Sequence, residues 1–312
     1  MAFRRVSPDL DKRELACGSI NLIFRKVVQP KVVFWNNYIY SNFMPNSHQF
    51  DGFWGSYQAG FMSYESKSLL ELLEAPPISA RFNDADKEAL HSLPVGLRRY
   101  PPHTVVYNQG DPVRSVYIIN SGWGCVYRDL PSGDRQIIDF PLRGDMIGLR
   151  MPAAFNYNTY ASITEMSVFE ISQYALNAIV LQSPYLSSGI MGLMARQRAF
   201  LVEHLTNLGR RNALVRTAHL LLEMGVRAGS NGMGTEKGYV CPLTQYELAD
   251  ALGLTAIHVN RMLRELREQN LVAFRYGEVE FINRPALVRL AHFDENYLMM
   301  GMFMDVTASQ LD

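Results

Sequence analysis

The chain has 312 residues, 48% of them hydrophobic and 19% charged, an ordinary mixture for a folded protein of about two domains. Thirty basic and thirty acidic side chains cancel to a formal net charge of zero, so bulk charge announces no polyanionic partner. No run of about 18 apolar residues exists to span a membrane, and Arg4, Arg5, Asp9, Asp11, Lys12, Arg13 and Glu14 break up any signal-peptide core. The three cysteines, Cys17, Cys125 and Cys241, lie far apart and form no CxxC pair, which fits a reducing cytoplasm without a disulfide framework.

Residues 1–61 differ in texture from the rest. "VVFWNNYIYSNFMPNSHQFDGFWGSYQAGF" is dense in aromatics, Asn, Ser and Gly and has little periodicity. It reads as an ordered arm, a partner-binding segment or a start-site artefact, since Met62 opens "MSYESKSLLELLEAPP", an ordinary protein start. Two short helical patterns follow: Leu69, Leu70, Leu72 and Leu73, then "ADKEALHSL" after the cap signal Asn83-Asp84, ended by Pro94.

Between Gly96 and Ser172 short β-branched and aromatic runs, such as 116–119 and 137–140, alternate with turns. The turns fall at Gly110-Asp111, Ser121-Gly122, Ser132-Gly133-Asp134 and Arg143-Gly144-Asp145. Strands spaced by about 8–12 residues predict a small sandwich, roll or barrel. "ASITEMSVFEIS" (161–172) reads as one more hairpin strand pair.

A long helix is predicted from about Ser187 to Asn207. Ile190, Met194, Leu201 and Leu208 recur at a/d-like intervals, with Gln197 and His204 as polar interruptions. Such a helix either packs on its own domain or pairs with a second copy. The second reading is preferred, so Ile190, Met194, Gln197, Leu201 and Leu208 are the expected homodimer contacts. "GRRNALVRTAHLLLEMGVRAG" follows as an amphipathic helix with Ala213, Val215 (or Arg216 by its stem), Ala218, Leu221 and Leu222 on one face; Tyr239–Pro242 reads as a short strand.

"LTQYELADALGLTAIHVNRMLRELREQNLV" (243–272) carries the most information. Thr244 with Glu247 three residues on is a capping-box pattern, Gly253 is placed for a left-handed turn, and Thr255 caps a second helix. Leu248, Ala249, Leu252, Val259, Leu263 and Leu266 would hold the two helices together, with Ala249 small enough for a close crossing. This is a helix-turn-helix pattern. The second helix must then turn His258, Asn260, Arg261, Arg264 and Arg267 to solvent, a face suited to the major groove, where Arg reads guanine and Asn reads adenine. Thr244 and Gln245 are placed to bind phosphate. Residues 271–275, Gly277 and 279–282 form a tight hairpin, the wing, with Arg275 near its tip. Locally, residues 210–289 hold eleven Lys/Arg against eight Asp/Glu, a mild basic excess. A helical hairpin with a solvated basic face would show the same helices. The cap, small residue, glycine turn, basic helix and hairpin in register favour DNA.

On these segments the sequence resembles the Crp–Fnr family of bacterial transcription regulators over about residues 68–295. The resemblance rests on the glycine-punctuated roll with "RGDMIG", the long helix, "LGRRNALVRTAHLLLE" and the helix-turn-helix stretch. It implies an α+β chain: an N-terminal β-roll of the cyclic-nucleotide-binding jelly-roll type, a dimerisation helix and a C-terminal winged helix-turn-helix reading a two-fold symmetric promoter site. The implied division is an extension of uncertain status (1–61), a sensor roll with leading helices (62–185), a dimerisation helix (186–209), a DNA-binding domain (210–295) and a tail (296–312). The implied partners are double-stranded DNA, a second copy, RNA polymerase and an unidentified small-molecule effector in the roll; no membrane partner is expected.

Departures from the family pattern shape the expectation. Cyclic-nucleotide binders carry a Glu shortly after "GDxIG" and an Arg-Ser pair further on; here Leu149 follows Gly148, and "FNYNTYAS" (155–162) has no Arg. A buried cyclic phosphate without a cation is poorly held, so no usual cyclic-AMP response is expected. Cys17, Cys125 and Cys241 cannot supply the family's N-terminal iron–sulfur ligands, and its haem ligands find no match. In the second helix Ile257 stands where relatives carry a cytosine-reading Glu and is placed to touch a thymine methyl. Asn260 stands where they carry Ser or Gly, and Arg261 matches their base-reading Arg.

No catalytic or metal site is expected, and no cofactor. His48, His91, His103, His204, His219, His258 and His292 lack ligand spacing, and His219 reads as a packed structural histidine. Phosphate-loop and nucleophile-elbow motifs are absent. Cys125 reads as a small hydrophobe in the roll. An enzyme therefore has no residue set behind it. The competing function is a small-molecule-binding signalling module whose winged helix contacts protein.

Overall fold

The computed structural model describes residues 66–298 except 76, 77, 79, 113 and 151–153. The expectations for residues 1–61, with Cys17 and His48, and for the tail after Leu298 lie outside the described residues. Ser68 caps α1 (Leu69–Glu74) and Asn83 caps α2 (Asp84–His91), each accepting a backbone N–H of the first turn, as the cap signals predict.

Eight strands follow: β1 (Val95–Tyr100), β2 (Val105–Tyr107), β3 (Ser115–Ser121), β4 (Gly124–Asp129), β5 (Arg135–Asp139), β6 (Met146–Ile147), β7 (Thr159–Ser162) and β8 (Met166–Ser172). They form two four-stranded antiparallel sheets, ordered β1-β8-β3-β6 and β2-β7-β4-β5. Only β4 and β5 form a hairpin; every other connection between consecutive strands of the roll passes from one sheet to the other, so most of its pairings are non-local. Its interior is filled by its own side chains. The rings of Tyr107, Tyr117 and Tyr160 lie with centroids 5.8–6.4 Å apart, packed with Ile119, Met166 and Val168.

One expectation is corrected here. β7 and β8 are joined by a tight turn but do not pair: β7 lies between β2 and β4, and β8 lies between β1 and β3. The turn carries the chain from one sheet to the other. Trp123 holds it there, accepting the Ile163 N–H on its carbonyl and donating its own N–H to Thr164 Oγ1. A period of two along each strand does not say which sheet the strand joins.

After α3 (Gln173–Val180) comes α4 (Pro184–Arg210), longer than predicted at both ends. It carries two stripes about 100° apart, one residue's rotation. Leu186, Leu193 and Phe200 are buried against the chain's own core, worth roughly 1.5–3 kcal/mol each. The other stripe, Met191, Met194, Arg198, Leu201 and Leu205, is exposed, with Met191 and Leu205 both at 71%. Two expected seam residues are therefore corrected. Ile190 packs on the roll cluster, and Gln197 donates through Nε2 to the Met146 carbonyl of the same chain. His204 likewise turns to β5, beside the Ile137 backbone and Asp139. An apolar period identifies a stripe without saying what faces it.

The second half contains α5 (Ala213–Ser230), β9 (Gly234–Thr235), β10 (Gly238–Val240), α6 (Gln245–Leu252), α7 (Ala256–Glu268), β11 (Val272–Arg275), β12 (Glu278–Phe281), α8 (Arg284–Ala291) and a 3-10 turn (Glu295–Leu298). The strands make a third antiparallel sheet, β11-β12-β10-β9. α5 corrects the expected one-sided helix. Residues 217–225 are all buried, while Ala213 and Val215 are only half-buried. A helix apolar nearly all round lies inside. Cys125, Ile137 and Phe140 of the roll share a single cluster with Leu221, Leu248 and Leu252, so the core runs without a break from roll to helix-turn-helix.

Candidate nucleic-acid interface

The cap on α6 forms as its residue types require. Thr244 Oγ1 accepts the Glu247 N–H at 3.3 Å, and Glu247 Oε2 accepts the Thr244 N–H at 2.7 Å. That uses the Thr244 amide. The N–H groups of Gln245 and Tyr246 open the helix and have no intrahelical acceptor. The turn into α7 needs a left-handed residue, and Gly253 supplies it at φ +59°. Thr255 then caps α7, accepting the His258 N–H at 3.2 Å.

Leu248, Ala249, Leu252, Val259 and Leu266 are buried between the helices as predicted. Met262, not Leu263, completes the set; Leu263 is half-buried. With that face buried, the opposite face of α7 must meet solvent. Ile257 is 83% exposed. Asn260, Arg261 and Arg264 are exposed beside it, and His258 and Arg267 are half-buried. Arg261 Nη2 lies 2.9 Å from His258 Nε2. Arg264 faces Glu268 one turn on at 3.6 Å, an exposed pair worth little that leaves the guanidinium available. Asn260 Nδ2 donates to Gln245 Oε1 across the two helices.

The wing is a two-residue hairpin. Tyr276 and Gly277 take φ +54° and +76°, the doubly left-handed turn that matches strand twist. Tyr276 stands 78% exposed at the tip, and Arg275 is exposed opposite Glu278.

A buried ionic cluster ties the helix-turn-helix half to the roll. Arg227 of α5 lies 2.7 Å from Asp139, 2.9 Å from Asp145 and 3.4 Å from Glu223, and its guanidinium sits over the Phe200 ring. Burial alone would lower its pKa; the carboxylates of Asp139, Asp145 and Glu223 more than reverse that and hold it charged. Asp145 belongs to "RGDMIG" in the roll, where it also accepts the Leu142 N–H. Outside this cluster, Arg135 pairs with Asp250 at 2.5 Å and Gln136 donates to the Ala251 carbonyl, so β5 grips α6 directly.

His219 is a packed histidine. It lies between Asn207 Nδ2, 3.1 Å from its Nδ1, and the rings of Phe293 and Tyr297. Burial, with Arg211 nearby, pushes its pKa down to about 3. Glu203 approaches at 3.4 Å, but its carboxylate is already bound by Arg211 at 3.0 Å. The folded state therefore binds fewer protons than the unfolded state between pH 6.5 and 3, and stability falls as pH drops through that window. Between pH 7.5 and pH 5, urea unfolding should show a loss of stability about 2 kcal/mol larger in the wild-type protein than in His219→Gln, since His204, also lowered by burial, titrates in both. Equal losses in both proteins would show that His219 is not the titrating group.

The expected reading residues Thr244, Gln245, Thr255, Ile257, His258, Asn260, Arg261 and Arg264 are brought to one side of α6 and α7, seven of them exposed and His258 half-buried. Sequence reasoning passed over Tyr246 and Tyr276, exposed on the same unit, and the Arg227 cluster, whose members are scattered over more than 80 positions. It also passed over Met191, Arg198 and Leu205, although residues 191, 194, 198, 201, 205 and 208 alternate by three and four along the helix. Cys125 and Cys241 are buried, and burial pushes both thiols up to about 12, as inert hydrophobes. No group of three or more potential metal ligands occurs among the described residues.

Comparison with known proteins agrees with this architecture. The family description "Cyclic nucleotide-binding domain" matches residues 97–183, and "Crp-like helix-turn-helix domain" matches residues 215–290. The nitrogen fixation regulation protein FixK of Rhizobium meliloti is 30% identical over 191 residues, covering 61% of this chain and 84% of that protein. The fumarate and nitrate reduction regulatory protein of Escherichia coli is 26% identical over 192 residues, covering 61% and 76%. Among solved structures, FixK2 from Bradyrhizobium japonicum superposes with a TM-score of 0.59 at 26% identity, covering 64% of this chain and 98% of that one. With roll and reading unit both matched, and a relative at 30% identity followed over 84% of its length, the chain belongs to the Crp–Fnr family of transcriptional regulators.

Proposed function

We propose that this regulator works as a homodimer on a two-fold symmetric site in duplex DNA. α7 enters the major groove with Ile257, His258, Asn260, Arg261 and Arg264, while Thr244, Thr255 and the main-chain N–H of Gln245 meet the backbone. One observation carries the reading: α5, α6 and β11 cover the Val259, Met262 and Leu266 face of α7 and leave a polar and basic face exposed on the other. Residues 62–185 act as the sensor, the 186–209 helix as the dimer seam and 210–295 as the reader. RNA polymerase and a small effector are the further partners, and regulation rather than catalysis is the output.

The roll answers to something other than cyclic AMP held in the usual way. Leu149, at the position after "GDMIG", packs toward the roll's outer cluster. Arg150, the nearby cation, is engaged by the Tyr157 ring and its own Leu149 carbonyl. The three tyrosine rings take up interior space.

Selection of bound fragments from genomic DNA by the purified protein, without added ligand, tests the reading. A palindrome with half-sites about one helical turn apart is expected. Affinity should fall steeply with salt as counterions are released. Arg261→Ala should lose roughly 1–3 kcal/mol of discrimination at one position of each half-site. No enriched site from a folded dimer, alone or after a ligand screen on the roll, would favour a winged helix that contacts protein.

A further inference from the structure

The hydrogen bond between Gln245 and Asn260 gives Gln245 a role different from a phosphate contact. Gln245 is the first residue of α6, Asn260 lies on the exposed face of α7, and the two amides meet at 2.5 Å although fifteen residues apart. Both side chains are exposed, so neither is held by core packing. We infer that Gln245 is a specificity-determining positioning residue. It fixes the amide plane of Asn260 and thereby the base pair that Asn260 reads. This inference rests on the reading of α7 as the groove-facing helix.

The chemistry follows from the two amides. Asn offers one carbonyl oxygen and two N–H donors on a plane that, unsupported, presents either end. Adenine in the major groove offers an N6 donor and an N7 acceptor, so it pairs with an amide only when oxygen and nitrogen are both correctly placed. Donation to Gln245 Oε1 uses one N–H of Asn260 and leaves its oxygen and second N–H together. The ligand is therefore the N6/N7 edge of an A·T pair, once per half-site. Holding the amide beforehand also spares the ordering of a side chain on binding. Arg261 beside His258 has a parallel arrangement, so Asn260 and Arg261 are both oriented from within the protein before DNA arrives.

The test uses the full-length protein and its selected site, with every half-site position substituted in turn. Gln245→Ala should lower the preference for A·T about tenfold at one position, the same position at which Asn260→Ala acts. The double variant should lose no more there than Asn260→Ala alone. Gln245→Glu keeps an acceptor for Asn260; it should retain the preference while binding all sequences more weakly through repulsion of phosphate. If Gln245→Ala instead weakens every sequence uniformly and lowers the salt slope by about one, Gln245 is a phosphate contact and the inference falls while the DNA-reading function stands. If the wild-type protein shows no base preference at all, that function fails and the inference falls with it.

Discussion

Arg227→Met should destabilise the protein by about 3–5 kcal/mol and divide its unfolding into two transitions. The side chain is 2% exposed and faces three carboxylates. Removing the cation leaves buried Asp145 of the roll and Glu223 of α5, with half-buried Asp139, facing too little positive charge. Burial already raises the Glu223 pKa even with Arg227 in place. Arg196 remains 3.4 Å from Asp145 and compensates in part. Because Asp139 and Asp145 come from the roll and Arg227 from the helix-turn-helix half, the loss falls on the joint between them. Denaturant unfolding followed by one probe in the roll and one in the winged helix would then separate. A drop below about 1 kcal/mol with coincident transitions would show that apolar packing alone joins the halves. The double variant Arg227→Met with Asp145→Asn should be less unstable than the two losses summed, since it removes a stranded charge.

Leu201→Glu with Leu205→Glu should leave the fold intact and convert a dimer to a monomer, with affinity for the palindromic site falling by about 10²–10⁴-fold. Both leucines project from α4 into solvent, so the change removes no intrachain contact of consequence. In a paired seam four glutamates would face one another in a desolvated groove. Binding of the second half-site then ceases to be intramolecular. Light scattering and titration of the same site check both halves of the prediction. A variant that stays dimeric would place the interface elsewhere.

Much of this was legible along the chain. The capping box at Thr244 and Glu247, the left-handed Gly253 and the Thr255 cap are local devices, complete within one or two turns, and they formed as read. The wing was legible too, because a two-residue turn between alternating runs has few solutions. The exposed stripe of α4 was half legible. Met194 and Leu201 are exposed, but Ile190 and Gln197 belong to the stripe that faces the roll. The β7–β8 segment misled for the same reason, since a strand's alternation does not name its partners.

Patterns that repeat within about a dozen residues were thus determined by the sequence alone: helices, caps, turns and the polar face of α7. Tertiary structure alone decided which of two apolar stripes on α4 is covered, how the roll divides into two sheets, and which charges meet around Arg227. These depend on contacts between segments far apart, whose geometry no local period encodes. The Gln245–Asn260 pair lies between the two cases, with both residues legible as surface polar groups and their contact set only by the angle at which α6 crosses α7.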